Sequence, residues 1–234
     1  MMSPRSTAFA RIATLAFVAL AGCNVGSQTQ GTGGSENDAR IRVVNATDAA
    51  LDLTASGQIV GGAGHVNANA ASSCISINAS TSVVGLREAG ALSDIGSFAP
   101  TLIAGTSLTV VAFISDAGSV LALTLPDIYA PTSGLAGLRI VDVAPGLGTL
   151  DVYITPRSGP LGIPSTAAIG FGGNTGFFDA DPGISQVRFT TTTTSTVVFD
   201  AGTVTLQPGR LYTMVLSQPG GADAQPVASL LPAC

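Results

Sequence analysis

Tryptophan and lysine are absent from the 234-residue chain, histidine occurs once, and only 10% of residues are charged. Without lysine, all nine cations are arginines, and Arg5 and Arg11 fall within the first 22 residues. The remainder carries 7 − 14 = −7. An excess of carboxylates on that scale repels phosphate backbones and anionic lipid, so nucleic acid is not an expected partner. The lone histidine, His65, lies in Gly61-Gly62-Ala63-Gly64-His65-Val66, and no Gly-x-Ser-x-Gly elbow supplies it with a nucleophile. Structural zinc takes four Cys or His ligands, a set that one histidine and cysteines at positions 23, 74 and 234 do not offer. No cofactor and no metal centre are expected. What the chain does have is 29 glycines, 13 prolines, many threonines and 46% hydrophobic residues, a mixture that suits short strands joined by tight turns.

One stretch is used twice. Residues 41–53 read Ile-Arg-Val-Val-Asn-Ala-Thr-Asp-Ala-Ala-Leu-Asp-Leu, and residues 138–153 read Leu-Arg-Ile-Val-Asp-Val-Ala-Pro-Gly-Leu-Gly-Thr-Leu-Asp-Val-Tyr. Each is an apolar-Arg-apolar-Val strand, a turn, and an apolar-Asp-apolar strand, and the arginines are 139 − 42 = 97 positions apart. A fixed period sets the architecture, and two units of about 100 residues each match the size of an immunoglobulin-like sandwich. The expected boundaries are residues 39–133 and 134–234.

Ahead of them, residues 1–22 carry Arg5 and Arg11, then the apolar run Ile12 to Ala21, which is too short for a bilayer core needing about 20 helical residues. It reads as a signal peptide. Leu20-Ala21-Gly22-Cys23 resembles the bacterial lipobox, which implies cleavage before Cys23 and acyl chains such as palmitate on that cysteine. Several chains, at about 0.8 kcal/mol per buried methylene, make a permanent membrane anchor. Asn24 stands where an Asp retains lipoproteins at the inner membrane, so the resemblance implies the outer membrane of a bacterial envelope. Residues 23–38 are rich in Gly and Ser and poor in apolar residues, which predicts a flexible tether.

In the first unit, Ile41, Val43 and Asn45 alternate with Arg42, Val44 and Ala46, the period of a strand. Leu51–Leu53, Cys74–Ile77 and Ser82–Leu86 follow as short strands. Leu102 to Leu125 has a single charge, Asp116, but Gly105, Gly118 and Ser115-Asp116-Ala117-Gly118-Ser119 predict a hairpin of two buried strands, Ser107–Ile114 and Val120–Leu125. In the second unit, Leu138–Val143 and Leu150–Thr155 repeat the opening, and Pro156 to Pro164 is a loop. Gln186–Phe189, Thr196–Phe199, Val204–Leu206 and Leu211–Leu216 are further strand candidates. Gln207-Pro208-Gly209-Arg210 matches Ile103-Ala104-Gly105-Thr106, a Gly turn before the same late strand. The fold class is all-β: two tandem immunoglobulin-like or β-sandwich units after a lipoprotein signal peptide and tether.

The pattern Arg-apolar-Val, a turn with Pro, apolar-Asp-Val-Tyr and a later Gly-x-x-Tyr-Thr resembles the bacterial family called domain of unknown function 4397. Arg139, Val141, Pro145, Leu150, Asp151, Val152, Tyr153, Gly209, Tyr212 and Thr213 carry it in the second unit, and Arg42, Val44, Asp52 and Gly105 in the first. The resemblance implies tandem β-sandwiches in a secreted or lipid-anchored protein. That family often has His and Ser in the first turn, where this chain has Asn45 and Thr47, then Asp142 and Ala144.

Other chemistry is sparse. Asp179 and Asp181 in Phe178-Asp179-Ala180-Asp181-Pro182-Gly183 are a weak calcium candidate, because the Glu that closes a calcium loop is missing and Asp-x-Asp-Pro-Gly is ordinary turn sequence. Asp52 and Asp151 are expected to serve the fold by bonding the turn or the neighbouring Arg. Thr190–Thr196 reads as a solvated strand or hairpin edge. With Cys23 lipidated, Cys74 and Cys234 remain as a possible disulfide. The expected function is a non-enzymatic, lipid-anchored envelope module that binds a protein or glycan ligand or supports the envelope. The alternatives are a protein-partner scaffold adding a strand to a sheet edge, and a glycosidase-like hydrolase, which needs two of Asp52, Asp94, Asp142, Asp151, Asp179 and Asp181 facing each other in a cleft.

Overall fold

The computed structural model of the protein describes residues 36–218, 220 and 224–234. The chain divides into units Met1–Gly33 and Gly34–Cys234, and all described residues lie in the second. Cys23 and the residues read as a signal peptide lie outside them. Among the described residues there is no helix, and the structure is all-β, as the sequence predicts.

The first repeat supplies β1 (Asp38–Ala46), β2 (Leu51–Ala55), β3 (Gln58–Ile59), β4 (Ala70–Ala71), β5 (Ile75–Asn78), β6 (Val84–Glu88), β7 (Gly96–Phe98), β8 (Ser107–Ile114) and β9 (Val120–Pro126). The second supplies β10 (Ala136–Val143), β11 (Leu150–Pro156), β12 (Thr166–Ile169), β13 (Gly173–Asn174), β14 (Phe178–Ala180), β15 (Gly183–Thr191), β16 (Val197–Leu206), β17 (Leu211–Ser217) and β18 (Val227–Pro232). Each repeat makes two sheets. The inner ones run β4-β1-β8-β9, with β5 also on β1, and β13-β10-β17-β18, with β14 also on β10. The outer ones run β3-β2-β6-β7 and β12-β11-β15-β16. Pairing is antiparallel except for β1 on β8 and β10 on β17, which are parallel and place Arg42 opposite Thr109 and Arg139 opposite Thr213.

The repeated strand is buried on both faces. One face, Ile41 and Val43 in β1 or Leu138 and Ile140 in β10, packs into the core between the two sheets of its own repeat. The other face, Val44 in β1 and Val141 and Val143 in β10, meets Val111, Phe113, Leu125 and Val215 in a third core. That core is a seam joining the two inner sheets back to back.

Both repeated arginines lie in this seam. Arg42 Nη1 donates to the Pro232 carbonyl at 2.6 Å, and Arg139 Nη1 to the Pro126 carbonyl at 2.9 Å. Each guanidinium thus grips the last residue of the other repeat's edge strand. Arg139, 3% exposed, also donates to Asp127 at 2.6 Å and to Thr213 at 2.8 Å, and stacks 4.3 Å over the Phe177 ring. Thr109 donates to the second Asp127 oxygen at 2.8 Å. Burial lowers both arginine pKa values, and Asp127 opposes that in each case by favouring the charged form. Arg42 Nη2 lies 3.0 Å from Cys74 Sγ, and Cys74 is bonded to Cys234 with Cα atoms 5.6 Å apart, tying the end of the second repeat to the first.

Three sequence readings change. Apart from Thr196, which precedes it, Thr196–Phe199 and Val204–Leu206 fall in one ten-residue strand, β16, whose Gly202 takes φ 76° at an irregularity in its pairing with β15. A glycine tolerates that backbone, so the strand bends where the sequence suggests a break. The hairpin β8–β9 forms over the expected residues, but only β8 is buried throughout, because β9 is the edge of its sheet. Asp52 and Asp151 bond loops, described below, while the neighbouring arginines face the seam.

Removing one member of a buried ion pair strands the other charge without water. Asp127→Ala is therefore expected to cost about 3 kcal/mol in urea unfolding, against at most ~1 kcal/mol for Asp94→Ala at the exposed pair with Arg87. Reducing Cys74–Cys234 should cost about 2–4 kcal/mol in the same measurement.

Candidate functional site

The first turn of each repeat ends its opening strand with a buried side-chain acceptor. Asn45 Oδ1 accepts from the Thr47 amide at 3.0 Å, and Asp142 Oδ1 from the Ala144 amide at 3.0 Å, both Asx turns. Asn45 also donates from Nδ2 to the Ala49 and Val66 carbonyls at 2.7 and 2.9 Å. Asp142 has no donor to offer when ionised, and its Oδ2 is buried without a partner. Burial pushes its pKa up to about 6, against the smaller opposing pull of the Ala144 amide.

The second strand of each repeat carries the repeated aspartate, and both copies bond a loop amide. Asp52 Oδ1 accepts from His65 N at 2.5 Å, and Asp151 Oδ1 from Ala168 N at 3.1 Å. His65 and Ala168 both take positive φ, 57° and 59°, a backbone that costs an L-residue energy and persists when a fixed acceptor holds it. His65 is therefore engaged through its backbone.

Asp94 reaches over Gly85 in β6, where a Cβ would stand 2.2 Å from its Oδ2, and accepts from Thr54 at 2.9 Å while pairing with Arg87 at 2.9 Å. Asp179 accepts from Tyr129 at 3.1 Å and from the Thr132 amide at 3.1 Å, fastening the linker between repeats to β14. Its pKa is held down chiefly by the Thr132 hydroxyl. Asp179 and Asp181 line the same cavity, of about 420 Å³, with Thr155, Ser165 and Ser185. That is where the structure brings two of the candidate carboxylates together; the others hold separate turns and loops. Among the described residues no three His, Cys, Asp or Glu side chains gather in a way that would hold a metal ion.

The structure also joins Cys74 to Cys234 and turns the threonine run into the β15–β16 hairpin, with Thr192 donating to the Thr149 carbonyl at 3.1 Å. Asp94 in its packing role and Asp127 were not visible as partners from sequence; an Arg on an otherwise apolar repeated strand was the signal that a buried counter-charge existed.

A second cavity, of about 360 Å³, opens where β1, β8 and β10 end, lined by Ala46, Asp48, Ile114, Asp116, Val143 and Pro145 among others. Asp48 there accepts from the Gly220 amide at 2.7 Å, linking the two repeats at that end.

The model of the family described as a domain of unknown function, DUF4397, matches residues 39–153, from β1 into β11 and across the linker between repeats. No curated protein matches. A solved structure of a protein provisionally named a cell adhesion protein, from Bacteroides eggerthii, aligns at 12% identity and a TM-score of 0.23, over 86% of this chain and 96% of that one. A likeness at that score carries no argument here.

Asp142 makes stability depend on pH with a definite sign. Its folded pKa lies above the unfolded value, so between about pH 4 and pH 6 the folded state holds a proton that the unfolded state has released. Stability from this group falls as pH rises through that window and is constant above it. Asp142→Asn, the residue type of Asn45, is expected to raise stability by on the order of 2 kcal/mol at pH 8 and to change it little at pH 4. Urea unfolding at the two pH values checks this; equal effects at both would show that Asp142 is not the titrating group.

Proposed function

With residues 39–153 belonging to a family whose name records no activity, we propose that this protein is a non-enzymatic module of the bacterial cell envelope, anchored in the outer membrane by lipid on Cys23, that displays its loops to a protein or glycan ligand. The observation that carries the reading is how the carboxylates are used. A glycosidase-like hydrolase needs two carboxyl groups free to act as acid and base or nucleophile across a cleft. Here Asp52, Asp142 and Asp151 each hold a loop or turn amide, Asp94 pairs with Arg87, and Asp179, which shares a cavity with Asp181, is itself bonded to Thr132 and Tyr129. Carboxylates engaged in this way are not free for proton transfer, which supports a reading in which ligands are recognised by surface.

The anchor rests on the leader ending in Leu20-Ala21-Gly22-Cys23. Among the described residues no helix is long and apolar enough to cross a membrane. Cys23→Ala is expected to move the full-length protein from the membrane fraction of a bacterial host to the soluble one, with loss of the acyl mass from the N-terminal peptide. Unchanged fractionation would sink the anchor. Hydrolysis of a glycan panel by the purified protein would overturn the non-enzymatic reading, whereas retention of a glycan or protein without turnover supports it.

A further inference from the structure

The folded body has two unlike ends. Strands β1 and β8 run the same way, as do β10 and β17, and Arg42 and Arg139 each bond the end of the other repeat's last strand, so the starts of all four gather at one end and their finishes at the other. At the starting end the chain enters the fold: Gly105 N donates to the Asp38 carbonyl and Arg40 N to the Thr106 carbonyl, both at 2.9 Å. The same end exposes apolar side chains from two separate turns. Ile103 is 51% exposed and Ile128 57%, and they border one shallow depression with Ala39, Leu102 and Pro126. Tyr129 and Ala130 continue the exposed stretch.

We propose that this end is seated on the membrane, with Ile103 and Ile128 entering the interface of a zwitterionic lipid surface. The proposal rests on the anchor at Cys23 and adds an orientation to it. Fourteen residues lie between Cys23 and Asp38, a Gly/Ser-rich length that spans on the order of 20 Å. The far end lies a further ~27 Å away along the eight residues of β8. The anchored chain therefore brings the starting end to the lipid first, and that is where the isoleucines are. Exposed cations at this end, Arg40, Arg157 and Arg210, are offset by Glu36, Asp38, Asp179 and Asp181, so seating is driven by apolar burial and suits lipid without net charge. The cavity bordered by Asp48 and Asp116 then faces away from the membrane.

Because the chain has no tryptophan, a single introduced one reports its own site without background. Ile128→Trp and Ser115→Trp proteins, lipidated and reconstituted into phosphatidylethanolamine–phosphatidylcholine vesicles with brominated acyl chains, place reporters at the two ends. The indole of the Ile128→Trp protein is expected to be quenched about twofold or more beyond that of the Ser115→Trp protein, and to stay so in high salt. Ile103→Trp repeats the measurement if the first variant unfolds. Equal quenching at the two ends, with the protein floating on the vesicles, overturns the seating and leaves the anchor standing. Protein that carries no lipid on Cys23 and does not float overturns both. Blue-shifted emission from the Ile128→Trp protein without vesicles, in material that sediments as a dimer, assigns the patch to a second copy and also overturns the seating.

Discussion

Two guanidinium groups and one carboxylate buried between the inner sheets decide how the halves of this protein fit. Taking such charges out of water costs several kcal/mol each, recovered only where geometry and hydrogen bonds are good. Arg139 meets that condition with Asp127, Thr213, the Pro126 carbonyl and the Phe177 ring, and Arg42 with the Pro232 carbonyl beside the disulfide. Valines around them would pack in many registers. The arginines accept one, because sliding either sheet by a residue carries the proline carbonyl away and leaves a charge without acceptors.

The two crossings are built alike and finished differently. After Pro126 comes Asp127, which neutralises Arg139; after Pro232 come Ala233 and Cys234, and Cys234 is bonded to Cys74. One side of the seam is closed by charge and the other by a covalent bond. The first turns diverge in the same way. Asn45 satisfies two carbonyls with its amide, whereas Asp142 keeps the turn and leaves an oxygen unpartnered. Repetition preserved the backbone hydrogen bonds, and the side chains that were free to change did so.

What the sequence showed and what it hid follow from range. The opening strand, the second strand and the Gly turns at Gly105 and Gly209 were legible because their signals are local: period two, an Asp between apolar neighbours, and a glycine at φ 76° or 72°. The hairpin through the apolar stretch Leu102–Leu125 was legible for the same reason, since its turn residues interrupt any helix. Strands β3, β4, β7, β12, β13 and β14, of two to four residues, show no period, whereas β5, also of four, alternates buried Ile75 and Ile77 with exposed Ser76 and Asn78. The seam was hidden because alternation reports that a face is apolar and says nothing of what covers it; Val44 and Val141 read as strand residues, not as partners. Asp127 and Asp94 were opaque as partners because their contacts lie 7 to 40 residues away and across strands or loops. The repeated aspartates were legible as fold residues, though the loop amides of His65 and Ala168, rather than the arginines, are what they hold.

The seam also limits where recognition can occur. It covers the backs of both inner sheets, and their other faces are consumed by the cores of the repeats, so what remains are the outer sheets, the strand edges and the two ends. Of the ends, one is where β1 begins and exposes Ile103 and Ile128, and the other opens a cavity whose rim carries Asp48 and Asp116. Asp48 bonds Gly220 across the repeats, so that rim is held by the same junction that holds the seam. A ligand docking there would meet a surface fixed by both repeats at once. Loosening the seam would therefore change the shape of that cavity, because Ala46 and Val143 belong to both.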